Sequence, residues 1–135
     1  MSAVNDLEAA ARRADIIVCA TASRDPIILD EWVQPGTHVS LIGNHERNAR
    51  ECDTELVVKS RIYVDSRVNV LNEAGEILIP IEEGRLREAD VVGELSELCG
   101  ARGAGRASEE EITLFKSVGT ALADLAAARL VAQRV

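Results

Sequence analysis

The side chains best suited to chemistry in this sequence gather in a few short segments. His45 is followed closely by Glu46 and Glu51. An imidazole titrates near neutrality and exchanges protons at pH 7, so His45 is the candidate catalytic acid or base. The plainer alternative is a solvated loop histidine beside loop carboxylates. Thr21-Ala22-Ser23, Gly43-Asn44 and Ser117-Val118-Gly119 supply hydroxyls, small residues and backbone amides, the groups a nucleotide or anion site uses. The same residues also make ordinary turns and caps. Gly103-Ala104-Gly105 has the spacing that opens a glycine-rich phosphate loop, but Ser108 stands where the third glycine belongs. The segment also follows a helix rather than a strand, so it is not read as a phosphate cradle. Cys19, Cys52 and Cys99 are an odd number, far apart and without a CxxC, which suggests neither a disulfide framework nor a metal site. Cys19 has no basic neighbour to activate it and reads as a small core residue.

These segments need elements to position them. Leu7, Ala10, Ala11 and Ala14 recur at helical spacing, with Asn5 as the expected cap. The continuous apolar run at 16–20 predicts a strand buried on both faces, as in a parallel sheet, and 38–42 reads as a second buried strand. Residues 61–64 predict a third strand and 112–115 a later one. Helices are expected at 53–60, capped by Asp53, and at 67–74, closed by Gly75. Pro80 marks 77–81 as an edge or an irregular segment. Residues 91–98 read as a short helix, 100–105 as a flexible basic loop, and 120–135 as a long closing helix. Ser108 and Glu111 are spaced as in a capping box, although the β-branched run that follows favours a strand. Strands alternating with helices argue for an α/β layer with a mainly parallel sheet. Ligands of such sheets bind beyond the carboxyl ends of the strands. Thr21, Gly43 and Ser117 lie at three of those ends.

The bulk of the chain narrows the choices. Its 135 residues fit one domain, 1–135, with a core built mostly from Val, Ile, Leu and Ala, because Trp32, Tyr63 and Phe115 are the only aromatics. A net charge of −8 argues against a nucleic-acid surface and against an anionic membrane surface. No apolar run reaches the length of about 18 residues that a spanning helix needs. The amino terminus lacks a secretory pattern, so the cytoplasm is the expected location.

Several of these segments, taken in order, resemble the ornithine cyclodeaminase/mu-crystallin family. They are Ala14-Asp15-Ile16-Ile17-Val18-Cys19-Ala20-Thr21, Pro35-Gly36-Thr37-His38-Val39 through Gly43, and Tyr63-Val64-Asp65-Ser66. Glu111-Ile112-Thr113-Leu114-Phe115-Lys116-Ser117-Val118-Gly119 and Asp124-Leu125-Ala126-Ala127-Ala128 complete the series. The resemblance implies a Rossmann-like, doubly wound fold and NAD or NADP as cofactor. It also implies a small amino-acid or cyclic-imine substrate, as in ornithine cyclodeaminases, alanine dehydrogenases and ketimine reductases. Carried over by position, Thr21, Ser40, Leu41, Ile42, Gly43, Ser117 and Val118 would line the cofactor. His45 stands where cyclodeaminases carry an acid/base Asp, and Ala49 where they carry a Lys.

The family's first strand, its glycine-rich turn and its substrate domain have no counterpart here, so the chain is expected to be a truncated Rossmann-like domain. Three functions follow. The chain is an enzyme or enzyme subunit of the family type, with a partner chain supplying the other half. Alternatively it is a cofactor-independent acid/base pocket for a small molecule, or a non-catalytic assembly module. An unpaired sheet edge predicts a homodimer or larger assembly.

Overall fold

A computed structural model describes residues 3–100 and 105–134. Its strands are β1 (Ile16–Cys19), β2 (His38–Leu41), β3 (Arg61–Val64), β4 (Val91–Glu94) and β5 (Thr113–Lys116). They form one sheet in the order β1-β2-β5-β3-β4, and every neighbouring pair is parallel. The last strand in sequence thus enters the middle of the sheet. Its carboxyl end is delivered between those of β2 and β3. Each strand carries four residues, with Ile17, Val39, Leu114 and Ile62 in one cross-strand row and Cys19, Leu41, Lys116 and Val64 in another.

Both of those rows face the core, since side chains two apart on a strand share a face. Val39, Leu41, Leu114 and Val64 are fully buried there. The helices α2 (Thr54–Lys59), α3 (Arg67–Glu73) and α4 (Gly75–Glu82) contribute Leu56, Val57, Val70 and Ile77 to the same cluster. The opposite face is barer, so β1 is not buried on both faces as its apolar run predicts: with no neighbour beyond it in the sheet and no helix over that face among the described residues, Ile16 is 66% and Val18 60% exposed. The remaining helices are α1 (Leu7–Ala11), α5 (Leu95–Cys99) and α6 (Ala121–Ala132).

Caps fix where the helices begin. Asp53 accepts from the Leu56 amide at 3.1 Å, and Thr120 from the Ala123 amide at 3.4 Å. At α1 the cap is Asp6 rather than Asn5, accepting from Ala9 N at 2.9 Å.

Three segments differ from the sequence expectation. Residues 91–98 are not one helix. Val91–Glu94 pairs with β3, and α5 starts only after Glu94, whose backbone stays extended. Residues 77–81 lie within α4. Pro80 is buried inside that helix, and the apolar contacts of Ile77, Leu78 and Pro80 outweigh the one backbone bond that proline forgoes. Gly75 does not end α3 in a left-handed turn. It opens α4, and a Cβ there would lie 2.1 Å from the Ala49 carbonyl oxygen. The expected flexible loop at 100–105 falls mostly on residues 101–104, outside the described residues.

Candidate functional site

Because all strands run the same way, their carboxyl ends share one edge of the sheet. Thr21 follows β1 and Gly43 follows β2, and the two backbones meet so closely that a Cβ on Gly43 would lie 2.1 Å from Thr21 N. Only glycine permits that approach. Glu51, with no exposed surface, reaches this junction from the loop before α2. Its Oε1 accepts from Thr21 N at 2.7 Å and from Thr21 Oγ1 at 2.8 Å. Its Oε2 accepts from Gly43 N at 3.0 Å. The main chain of the same residue is anchored too: Glu51 O accepts from the amides of Ile27 and Ile28 at 2.9 and 3.1 Å.

A second carboxylate organises the end of β5. Asp65 Oδ2 accepts from Ser117 Oγ at 2.7 Å, Val118 N at 3.1 Å and Gly119 N at 2.8 Å. Gly119 turns the chain there with φ of 90°. Beneath both junctions lies Lys116, fully buried, donating to Asn44 O and standing 3.0 Å from Glu76 Oε2. Glu76 Oε1 in turn accepts from Glu51 N at 3.2 Å. One buried chain of charges therefore ties the ends of β1, β2 and β5 together. Cys19 lies close to it. Burial, then the charges of Glu51 and Glu76, push its thiol up to about 12, so it stays protonated and is no nucleophile.

The structure brings Thr21, Ile42, Gly43, Ser117 and Val118 to this edge. Ile42 is 48% exposed, and Ser117 and Val118 are half-buried. Leu41 points into the core and reaches the edge only through its carbonyl, which accepts from Ser117 N at 3.0 Å. Ser40 lies one residue further back, on the opposite face, in register with Val18 and Phe115. His45 is exposed on the loop after Gly43. Its expected carboxylate partners are engaged elsewhere, Glu51 as described and Glu46 with Arg24 at 2.8 Å.

The expectation of free amides is corrected. Thr21 N, Gly43 N, Val118 N and Gly119 N are all taken by carboxylates of the chain itself. None of the four is left for a phosphate, and the two anions would repel one. Asp65, Glu76 and Lys116 were given no role by the sequence, and Glu51 was read only as a neighbour of His45. One signal was present: Lys116 shares the parity of Leu114, so it had to enter the core and find an anion. Beside the Asp65 junction a cleft of about 460 Å³ opens between Glu94, Leu95, Cys99 and Leu122. Among the described residues, no group of three His, Cys, Asp or Glu side chains is arranged to hold a metal, and no helix is long and apolar enough to cross a membrane.

Comparisons with known proteins agree with this architecture. A sequence model of the ornithine cyclodeaminase/mu-crystallin family matches residues 1–135. The chain is 46% identical over 130 residues to a Delta(1)-pyrroline-2-carboxylate reductase of Colwellia psychrerythraea, covering 96% of this chain and 41% of that protein. It is 39% identical over 127 residues to the ketimine reductase mu-crystallin of Mus musculus, covering 94% of this chain and 38% of that protein. Among solved structures it resembles the Thermococcus litoralis Delta(1)-pyrroline-2-carboxylate reductase in complex with NADH and L-proline. That match has a TM-score of 0.90 and 42% identity, over 94% of this chain and 39% of the other. An archaeal alanine dehydrogenase dimer with bound NAD matches with a TM-score of 0.86 and 34% identity, over 98% of this chain and 42% of the other. The sequence thus spans about two fifths of the length of the relatives it matches. The sheet is Rossmann-like, as theirs is, and the chain belongs to the ornithine cyclodeaminase/mu-crystallin family.

Proposed function

We propose that this chain is the nicotinamide-side half of the cofactor-binding domain of an imine reductase, working with NADH or NADPH on a small cyclic imine. The observation that carries the reading is the consumption of the strand-end amides by Glu51 and Asp65. Such a floor does not suit the pyrophosphate, which open α/β sheets hold on amides of a glycine-rich turn. It does suit the uncharged ring end, because exposed Ile42 and half-buried Val118 offer apolar surface beside Thr21 and Ser117. The pyrophosphate is assigned to a segment outside these residues, in the same polypeptide or in a partner.

When bound, the nicotinamide supplies a hydride to the imine carbon. The imine nitrogen must then gain a proton. Of the two histidines only His45 stands on the carboxyl edge, as His38 begins β2 at the other end. His45 is therefore proposed as the proton donor, with Ser117 and Val118 orienting the ring. The two relatives named as reductases support this class of substrate.

Saturation-transfer NMR of the 135-residue chain with NADH tests the assignment. Transfer is expected to the nicotinamide protons and not to the adenine protons; transfer to adenine alone, or none, overturns it. Should turnover of Delta(1)-pyrroline-2-carboxylate be measurable, His45→Ala is expected to lower kcat about 100-fold with the NMR contacts retained. Unchanged kcat removes His45 from the mechanism.

A second reading, an assembly module, is favoured by α6, which buries none of its 12 residues.

A further inference from the structure

We propose that Glu51 is a positioning residue, whose two carboxylate oxygens set the distance and angle between the ends of β1 and β2 on which the cofactor ring would rest. The proposal builds on the functional reading above and deepens it.

The case rests on the division of labour between the two oxygens. Oε1 takes the amide and hydroxyl of Thr21, and Oε2 takes the amide of Gly43. An ionised carboxylate is acceptor-only on both oxygens, whereas a glutamine must turn an NH2 group toward one of the two amides. No other side chain spans the two donors at this reach without presenting a donor to one of them. Gly43 removes every atom that could stand between the backbones, with both Thr21 N and Thr21 O inside 2.5 Å of a hypothetical Cβ. The carboxylate is also held from behind. Its own amide is fixed by Glu76, its carbonyl by Ile27 and Ile28, and Glu76 by Lys116.

The placement carries an electrostatic cost. Glu51 and Glu76 are both buried, and Lys116 pairs with Glu76, so Glu51 relies on its hydrogen bonds; a fully buried anion is costly unless it is so satisfied. An apolar side chain in the same place would avoid that cost but leave the amides of Thr21 and Gly43 without this acceptor. Beyond the last backbone bond between the strands, Ile42 N to Cys19 O at 2.9 Å, the carboxylate fixes the geometry of the two turns that follow them.

The test uses the whole chain and three variants. Glu51→Gln keeps the volume and loses one acceptor. Glu51→Asp keeps the charge but is one carbon short of spanning both amides, and it replaces Glu51→Gln if that variant does not fold. Val39→Ala opens a cavity at a fully buried β2 residue away from the edge and serves as a control of matched thermal stability. Amide hydrogen exchange at Thr21 and Gly43 and the dissociation constant for NADH are measured in each. We expect the Glu51 variants to exchange the Gly43 amide at least about 10-fold faster and to bind NADH about 10-fold more weakly. Val39→Ala is expected to change neither at the same melting temperature. Equal NADH affinity in the Glu51 variants, or equal loss in Val39→Ala, overturns the positioning role and leaves the functional reading standing. Absence of NADH binding by the unaltered chain overturns the functional reading and this inference with it.

Discussion

Among the described residues Lys116 is the largest side chain with no exposed surface; its ammonium donates to Asn44 O and forms an ion pair with Glu76 Oε2 at 3.0 Å. A buried pair of this kind contributes little net stability compared with a well-packed apolar pair. Breaking it is another matter, because Glu76 would then lie in the core without its cation. Lys116→Met is therefore expected to cost about 3–5 kcal/mol, read as a lower urea midpoint at unchanged slope. A loss below about 1 kcal/mol would mean that Glu76 is balanced without Lys116. The residue was visible in the sequence and its role was not. A lysine ending a strand is ordinarily solvated, and what buries this one comes from Glu76, 40 positions away, and Asn44, 72 positions away. The same distance hid Glu51, whose partner Thr21 is 30 positions upstream. Thr21, Gly43 and Ser117 were legible because each follows directly on a strand end, a local property.

At the level of elements, β1 could be read from a continuous apolar run, β2 and β3 from short runs rich in β-branched, aromatic and aliphatic residues, and β5 from its β-branched start. β4 could not, since Val91-Val92-Gly93-Glu94 is short and becomes a strand through pairing with Ile62, Tyr63 and Val64. The seam between β2 and β5 carries the pH dependence. His38 Nδ1 lies 2.8 Å from Thr113 Oγ1, which also accepts from Arg106 at 3.2 Å. Burial first, and then the charge of Arg106, lower the His38 pKa from 6.5. The folded chain thus takes up this proton less readily than the unfolded chain. The contribution is present in full above pH 6.5 and is lost as pH falls from there through the folded value. Melting temperature should decline below pH 6.5 in the unaltered chain and decline less in His38→Gln, with the two curves parallel above it. Identical profiles would show that the seam does not sense His38.

For the whole molecule the outstanding feature is surface without cover. β1 ends the sheet, and its outward residues Ile16 and Val18 are 66% and 60% exposed. Beside it lies an apolar hollow of about 170 Å³ walled by Leu7, Ala10, Ala14, Ile16 and Ile28. From Ile16 to Ala20 the edge carries no charge and no proline, the usual guards against strand pairing. Two copies meeting there could continue the sheet through their β1 strands and cover both Val18 side chains at once. Opposing this is the charge of −8 on each chain, a repulsion that salt screens over about 10 Å at 0.1 M and 3 Å at 1 M. Association through β1 should therefore strengthen as salt is added, the reverse of a contact built on ion pairs. Light scattering at micromolar concentration is expected to show the mass rising toward a dimer between low salt and about 1 M. Val18→Lys places a charge on an exposed position, so it should leave the fold within about 0.5 kcal/mol and hold the chain at monomer mass throughout. A monomer at every salt concentration in the unaltered chain would show that the bare edge of β1 does not recruit a second copy. A dimer that survives Val18→Lys but yields to Leu125→Arg would move the contact to α6, whose Leu122, Leu125 and Leu130 are 77%, 49% and 53% exposed.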